Sequence, residues 1–431
     1  MTAAPIRVAV LGCGTVGAAV VGALCDPAAS AALAGAIGAP IELVGIAVAH
    51  LDRTRPGIPA SLLVADARAL IDSGPDVIVE LIGPIPETLE LLHAAIDQGA
   101  SVVTANKALL ATHLAALTSR AASRGVDLYY EAAVAGAIPI VRVLRTSLAG
   151  QHLTRVLGIV NGTTNFILTT MERERRDYED VLAEAIARGF AEADPSADVD
   201  GHDAAQKAAL LASIAFDRVV LDSDVAREGI AKVTAADLDA AGRMGFVVRL
   251  LAVAERLGPE AISVRVHPAM VPKDHPLAAV DGAANAVFVE AASGPVMLQG
   301  AGAGGSPTAS AVLGDLVAAG RNRVAGTCEH APSLDGACRL VELGETTSAF
   351  YLALEVLDQP GVLAAVATVF GSNGVSIESM EQIGRAADAR LVFLTHPATE
   401  AQMAATALQL DKLEAVTALG ALLRVVDGPS R

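Results

Sequence analysis

An apolar run, Ile6-Arg-Val8-Ala-Val10-Leu11, ends in Gly12-Cys-Gly14-Thr-Val-Gly17 and leads into a helix-forming stretch from Ala18 to Leu24. A strand that feeds a glycine turn opening a helix is the first βα unit of a dinucleotide fold. There the glycines let backbone approach a pyrophosphate, and amide groups at the helix N-terminus meet its charge. A tight turn with no ligand would need only one of the three glycines. Further strands are expected at Ile41 to Ala49, Asp76 to Ile82, Ser101 to Thr104 and Val126 to Glu131, separated by helical patterns at Glu87 to Gln98 and Leu109 to Arg124. Gly99 and Gly125 stand where left-handed C-terminal caps belong. Alternation of this length predicts an α/β fold with a Rossmann-type, doubly wound parallel sheet over residues 1–150.

The end of the second strand, Ala47-Val-Ala49-His50-Leu51-Asp52-Arg53-Thr54-Arg55, bears on cofactor choice. An acidic residue there binds a ribose diol and a basic one a 2′-phosphate. Both kinds are present, so NAD and NADP both remain open.

From about residue 150 the pattern changes. Leu153 to Val160 reads as a strand, Asn161-Gly162-Thr163-Thr164-Asn165 as a polar turn into a helix, and strands recur near Phe246, Ile262, Ala286 and Val296. This predicts a second, mixed α+β domain over 151–325. Within it Gly300-Ala-Gly302-Ala-Gly304-Gly305-Ser-Pro307-Thr308 opens a helix, with Pro307 suited to a first turn. Those glycines permit either a close ligand or a plain hinge. The helix at 308–320 is expected to return to the nucleotide domain. Residues 326–348 read as a linker, and 349–431 follow a βαββαβ order with turns at Pro360-Gly361-Val362 and Asn373-Gly374-Val375.

The stretch Ala185-Ile-Ala-Arg-Gly189-Phe-Ala-Glu192-Ala-Asp194-Pro195-Ser-Ala-Asp198-Val-Asp-Gly201-His-Asp203-Ala-Ala-Gln-Lys207 gathers carboxylates and one lysine ahead of a nearly all-apolar helix. If 203–216 is helical, Asp203, Lys207, Leu210, Leu211 and Ile214 share one face. An Asp four residues before a Lys is by itself an ordinary helix ion pair. In so apolar a setting, however, the ammonium is buried and needs a carboxylate or a substrate.

A length of 431 residues with 53% hydrophobic content is ample for several buried cores. A net charge of −17, with only Arg173-Glu-Arg175-Arg176 as a basic cluster, argues against nucleic acid or an anionic membrane as partner. No apolar run reaches the roughly 18 residues that span a bilayer, and the N-terminus moves directly into a strand, so a cytoplasmic location is expected. Cys13, Cys25, Cys328 and Cys338 lack paired spacing and read as reduced thiols, with Cys13 at most an oxidation liability.

Taken together, the 185–207 stretch, Gly12-x-Gly14-Thr-Val-Gly17, Val79-Glu80-Leu-Ile-Gly83, Thr104-Ala-Asn106-Lys107, Glu131-Ala-Ala-Val134-Ala-Gly136-Ala-Ile138-Pro139-Ile140 and Asn161-Gly-Thr-Thr-Asn165-Phe166 resemble the motifs of homoserine dehydrogenases over nearly the whole chain. The last segment resembles an ACT domain. The resemblance implies NAD(P)-dependent interconversion of L-homoserine and L-aspartate 4-semialdehyde, a step of threonine, methionine and isoleucine biosynthesis. It, and not the strand and helix pattern, assigns substrate binding and dimerisation to 151–325. It implies Lys207, Lys107 and Asp203 as catalytic residues, with Glu192, Asp198, Asp203, Gly162 and Thr163 binding substrate. Cofactor contacts carry over to Gly12, Gly14, Thr15, Val16, Gly17, His50, Arg53, Thr104, Lys107, Gly189, Gly302 and Gly304. A monovalent cation, sodium or potassium, is implied at Glu131, Val134, Gly136 and Ile138.

The family resemblance also implies threonine as effector and at least a homodimer, or a homotetramer, with no kinase-like segment before residue 1. Two departures concern loop geometry: Pro84 and Ala137 stand where the family often has a second glycine. Two other readings remain, a non-catalytic nucleotide- and amino-acid-sensing protein and a different amino-acid dehydrogenase. Joint presence of Lys107, Glu192, Asp203 and Lys207 opposes the first, and the 185–207 signature opposes the second.

Overall fold

Val8, Ala9, Val10 and Leu11 of β1 (Ile6–Leu11) are all fully buried, as a central strand covered on both faces requires. The structure, a computed structural model, describes residues 4–83, 86–330, 334, 336, 338–384 and 389–427. It divides into two compact units, one of residues 1–151, 209–222 and 298–336, the other of 152–208, 223–297 and 337–431. Pro84 lies outside the described residues.

In the first unit β1 is followed by α1 (Thr15–Cys25) and α2 (Pro27–Ile37). Asp26 starts α2: its carboxylate accepts from the Ala29 amide at 2.8 Å, and Pro27 takes the first helical position. Next come β2 (Ile41–Ala47), β3 (Leu63–Val64), α3 (Ala67–Asp72), β4 (Val77–Glu80) and α4 (Thr88–Asp97). They are followed by β5 (Ser101–Thr104), α5 (Lys107–Arg124), β6 (Leu128–Tyr129) and α6 (Ile140–Arg142). The strands form one parallel sheet in the order β3-β2-β1-β4-β5-β6, the doubly wound arrangement. The expected strand at Val126 to Glu131 pairs only over Leu128–Tyr129, because Glu131–Ala133 tightens into a 3₁₀ turn.

The second unit opens with β7 (Leu153–Ile159) and α7 (Gly162–Glu174), then α8 (Tyr178–Ala187), α9 (Ser196–Val199) and α10 (His202–Ala215), the last running on into the first unit. After β8 (Ala226–Arg227) and α11 (Ala235–Arg243) the chain makes β9 (Phe246–Arg256), β10 (Ala261–Pro272), β11 (Ala284–Ala291) and β12 (Gly294–Ala301). Eleven consecutive residue pairs join β9 to β10, the long antiparallel spine of this sheet. α12 (Gly305–Ala325) sends Val312, Leu316 and Ala319 into the same core as Val8 and Val10.

Within the segment expected to be a linker, β13 (Arg339–Leu340) adds to β10 in parallel. Then follow β14 (Thr347–Val356), α13 (Val362–Ser372), β15 (Ile377–Ile383), β16 (Ala389–Thr395), β17 (Ala398–Thr399), α14 (Glu400–Leu410) and β18 (Val416–Val425). This C-terminal set has its own core of Phe350, Leu352, Leu354, Val366, Phe370, Phe393 and Met403. Its sheet is nevertheless continuous with the preceding one: β18 pairs in parallel with β10 through Ala269↔Arg424 and Met270↔Val425. The order β12-β11-β7-β9-β10-β18-β14-β16-β15 is one mixed sheet among the described residues.

Candidate active site

The two nucleotide-loop glycines at positions 12 and 17 are required by packing. Gly12 has φ +98°, and a Cβ there would stand 2.5 Å from the Leu81 carbonyl oxygen. A Cβ on Gly17 would stand 2.3 Å from the Gly12 carbonyl oxygen, so the helix start is pressed onto the turn. Gly14 caps α1 in open space, which leaves backbone amides for an anion. Thr15 and Val16 occupy the first turn, Thr15 exposed and Val16 partly so.

A cavity of about 370 Å³ opens at these strand ends, lined by Gly12, Cys13, Gly14, His50, Arg53 and Arg55 with apolar walls including Val48, Leu81 and Leu91. Arg55, in the sequence only one of the basic residues that follow β2, donates to the carbonyls of His50 and Arg53 at 3.0 and 2.9 Å and so shapes the loop. Asp52 is exposed and not among the lining residues. Burial pushes the Cys13 thiol up, with Arg55 opposing, which keeps it in the less reactive protonated form.

Deeper in the first unit, Glu80 is fully buried at the end of β4. Its carboxylate accepts from the Thr104 hydroxyl at 2.6 Å and from the Ile82 and Gly83 amides at 2.8 and 3.3 Å. Burial pushes this carboxyl up against the hydrogen bonds that favour its charge. Asn106 donates to the Gly83 carbonyl at 2.9 Å and caps α5 by accepting from the Leu109 amide at 3.2 Å. Lys107 is thereby set at the first position of α5, partly buried. Thr104, named from the sequence as a cofactor contact, spends its hydroxyl on Glu80.

In the second unit, the Lys207 ammonium donates to the Asp203 carboxylate at 2.7 Å and to the Val160 carbonyl at 2.7 Å, using two of its three protons. The two side chains are only 11% and 13% exposed, so this i,i+4 ion pair is not the ordinary solvated kind. Asn161 organises the set. Its oxygen caps α7 by accepting from the Thr164 amide at 2.9 Å, and its NH₂ group donates to Asp198 at 2.7 Å and Asp203 at 3.0 Å. The first-turn amides of Gly162 and Thr163 belong to the groups that a helix cannot satisfy internally. The Thr163 hydroxyl is used on the Phe190 carbonyl at 2.7 Å. Glu192 is exposed on the turn after α8 and does not join the Asn161 cluster, and Gly189 ends α8 with φ +76°.

The proposed cation loop is built from backbone. Ala135 and Gly136 both have positive φ, and a Cβ on Gly136 would stand 2.5 Å from the Gly302 carbonyl oxygen. Ala137, one of the two sequence departures, donates its amide to the Ala301 carbonyl at 3.0 Å. The Glu131 carboxylate accepts from the Val141 and Arg142 amides at 2.7 and 2.9 Å, capping α6. Asp315 on α12 accepts from the Glu131 amide at 2.8 Å and from Arg142 at 2.8 Å, and burial pushes its carboxyl up to about 7. Val134 and Ile138 are buried, and Gly304 caps α12 with φ +115°.

Among the described residues no cluster of His, Cys, Asp or Glu has a metal-binding arrangement, and no single helix is long and apolar enough to cross a membrane. The four cysteines are free.

Comparison with known proteins gives consistent results. The family profile described as homoserine dehydrogenase, NAD binding domain, matches residues 12–131, the homoserine dehydrogenase profile 139–317, and the ACT domain profile 350–415. A homoserine dehydrogenase of Corynebacterium glutamicum is 48% identical over 97% of this chain and 95% of its own. One from Mycobacterium bovis is 48% identical over 98% of each chain. The crystal structure of a homoserine dehydrogenase from Thiobacillus denitrificans superposes with a TM-score of 0.92 at 36% identity, covering 98% of this chain and 99% of that one. A hyperthermophilic archaeal homoserine dehydrogenase in complex with NADPH gives a TM-score of 0.62 at 27% identity, covering 73% of this chain and 98% of its own. Identity at this level along the full length of its relatives, with all three profiles in sequence, leaves one conclusion: the chain belongs to the homoserine dehydrogenase family, NAD(P)-dependent oxidoreductases, and carries an ACT domain toward its C-terminal end.

Proposed function

We propose that Lys207 is the acid/base group in the interconversion of L-homoserine and L-aspartate 4-semialdehyde. A primary alcohol gives up hydride readily only if its proton leaves at about the same time, which calls for such a group beside the hydroxyl. The observation that carries the reading is the shielded ammonium held by Asp203 and the Val160 carbonyl. Toward homoserine Lys207 hands the carbonyl oxygen a proton as hydride arrives, and in the reverse direction it accepts one. Asp203 orients it, and Asp198 supports Asp203 through Asn161. Lys107 serves as the second cation that steadies alkoxide charge. Glu192 and Asp203 receive the substrate ammonium, and the Gly162 and Thr163 amides its carboxylate. Absorbance at the nicotinamide band, with homoserine and each cofactor in turn, tests the reading; no homoserine-dependent change with either cofactor would overturn it.

The bound nicotinamide supplies or takes the hydride. Gly12, Gly14, Thr15, Val16, Gly17, Gly189, Gly302 and Gly304 are assigned to it, with His50 and Arg53 at the ribose and Thr104 and Lys107 nearer the ring. His50, Arg53 and Arg55 line the cavity whereas Asp52 does not, and this supports NADP over NAD; NADPH is also the nucleotide bound in the archaeal relative. Arg53→Ala is expected to lower kcat/KM with NADP relative to NAD by about 10-fold, the scale of a lost charge-assisted hydrogen bond. An unchanged ratio would place the selectivity elsewhere.

For a sodium or potassium ion, the carbonyls of Glu131, Val134, Gly136 and Ile138 are the donors, since a hard cation takes oxygen ligands. The commitment of the Glu131 carboxylate to the α6 amides supports a backbone set. A bound ion would brace this loop against Gly302, and activity would then depend on the monovalent salt supplied.

Residues 349–431 are assigned to threonine sensing, 1–150 with the helix at 308–320 to nucleotide binding, and 151–325 to substrate binding and dimerisation, in a cytoplasmic homodimer or homotetramer. Gly361 caps α13 at φ +93°, a conformation an Asp adopts only with strain. Gly361→Asp should weaken threonine inhibition while leaving the uninhibited rate near that of the parent. Initial rates against threonine concentration check this, and identical inhibition curves would move the sensing site away from this turn.

A further inference from the structure

Arg424 on β18 ties the start of α14 to Glu228, in the segment after β8 that packs on the turn at 198–201. Its Nε and Nη2 hold the two oxygens of Glu400 at 2.7 and 2.9 Å, a bidentate pair at the start of α14. Its remaining nitrogen, Nη1, donates to Glu228. Glu228 follows β8 and is pinned by its own amide, which donates to the Val266 carbonyl of β10 at 2.8 Å. Arg424 and Glu400 are 7% and 6% exposed, so this pair is held in a dry setting that fixes the guanidinium, while the Glu228 side chain, 36% exposed, reaches it from the rim.

The residue after Glu228 transmits that position. A Cβ on Gly229 would stand 2.3 Å from the Val199 carbonyl oxygen and 2.8 Å from the Asp200 Cα. The Ile230 amide donates to the Val199 carbonyl at 2.9 Å. Backbone thus lies directly on backbone, with no side chain between to absorb a shift. Val199 closes α9, and the residue before it is Asp198, which accepts from Asn161; the same Asn161 NH₂ group donates to Asp203, the partner of Lys207.

We infer that Glu228 is a positioning residue for the Asp198, Asp203 and Lys207 set, and that it takes its own place from Arg424. A movement of β18 or of the start of α14 is then delivered to the carboxylate turn through one side-chain fork and one backbone contact. This rests on the assignment of Lys207 and Asp203 above and adds to it the route by which the C-terminal domain acts on them. A misplacement of about 1 Å at a reacting group can cost on the order of 100-fold, so a small motion suffices.

The test uses the full chain. Glu228→Gln removes the charge that Arg424 grips but keeps its shape, and Gly229→Ala pushes on the 198–201 turn while keeping every charge. Both are expected to lower homoserine kcat/KM by about 10-fold or more, within the range that such a misplacement allows, and to blunt inhibition by added threonine, with NADPH affinity by fluorescence titration unchanged. Arg424→Lys, which retains the cation but not the fork, should fall between the parent and Arg424→Met, and Arg424→Met should resemble Glu228→Gln, because a point charge keeps only part of what the fork supplies. If both Glu228→Gln and Gly229→Ala leave homoserine kcat and KM within about 2-fold, or change only the melting temperature, the inference is wrong, since lost positioning must appear in the kinetics. Lys207→Met run in parallel separates the causes: an active Lys207→Met enzyme overturns the site assignment itself, and an inactive one alongside normal Glu228→Gln overturns only the coupling.

Discussion

Lys207→Met is expected to lower turnover by roughly 100- to 10,000-fold, the range for losing a positioned acid/base group, with nucleotide affinity little changed. Methionine keeps the unbranched shape of the side chain, one atom shorter, and suits the apolar helix face, so the change falls mainly on charge and proton. It also leaves the Val160 carbonyl without its donor and takes the ammonium from Asp203, which keeps the Asn161 NH₂ group, a structural cost of about 1–3 kcal/mol. Rates should therefore be compared well below the melting transition. Lys207→Arg divides the effect further. It preserves a cation for Asp203, but a guanidinium does not give up a proton in the accessible pH range. Turnover should stay low in both variants if proton transfer matters, and should recover in the Arg variant if only charge does. A Met variant retaining more than half of the parent turnover would sink the assignment.

The contrast between Lys207 and Asn161 shows what a linear reading of the chain can and cannot reach. Lys207 stands out because helix periodicity aligns it with Asp203, Leu210, Leu211 and Ile214, a relation confined to a few turns. The glycine loop is legible for the same reason, since a turn and a helix start lie within a dozen residues of one another. Asn161 reads only as a helix cap. Its partners Asp198 and Asp203 are 37 and 42 residues away, and nothing local announces them. Arg55 reads from sequence only as a basic residue near the ribose, and its hold on the backbone carbonyls of its own loop is not visible there. The join between β10 and β18 rests on two paired residues, too short to leave a periodic pattern, and so the C-terminal segment reads from sequence as a separate unit although its sheet continues the preceding one. Glu131 is a further case of a partner that is not local. The resemblance implies a cation held largely by backbone carbonyls, and what the chain's order does not show is where the Glu131 carboxylate goes: it is occupied by the amides of Val141 and Arg142, ten and eleven residues on.

A second large effect is expected at the same seam. Asp237, fully buried at the start of α11, accepts from the Thr234 amide and hydroxyl at 3.0 and 2.7 Å through one oxygen. Through the other it accepts from the Tyr351 hydroxyl of β14 at 3.0 Å and from Arg390 of β16. Burial and the neighbouring carboxylate push the Tyr351 phenol up, so it remains a donor at any ordinary pH. Asp237→Ala removes the acceptor shared by a helix cap, a buried phenol and a guanidinium that is only 11% exposed, and leaves Arg390 with Glu355 at 3.5 Å. Breaking a buried ion pair from one side costs about 3–5 kcal/mol because the remaining charge is stranded. Removing both charges in Asp237→Ala/Arg390→Met should be milder than the single change, since no uncompensated charge then remains. The seam also sets how the sheet unfolds. The C-terminal core and the β9–β10 core are separate apolar clusters joined by the short β10–β18 pairing and by the contacts of Asp237 and Glu228. Intact, they are expected to unfold in one urea transition, and Asp237→Ala should split it so that the C-terminal strands melt first. A single transition in the variant, shifted by less than about 1 kcal/mol, the scale of one ordinary hydrogen bond, would mean that the β10–β18 pairing and the Arg424–Glu228 contact suffice to couple the two cores.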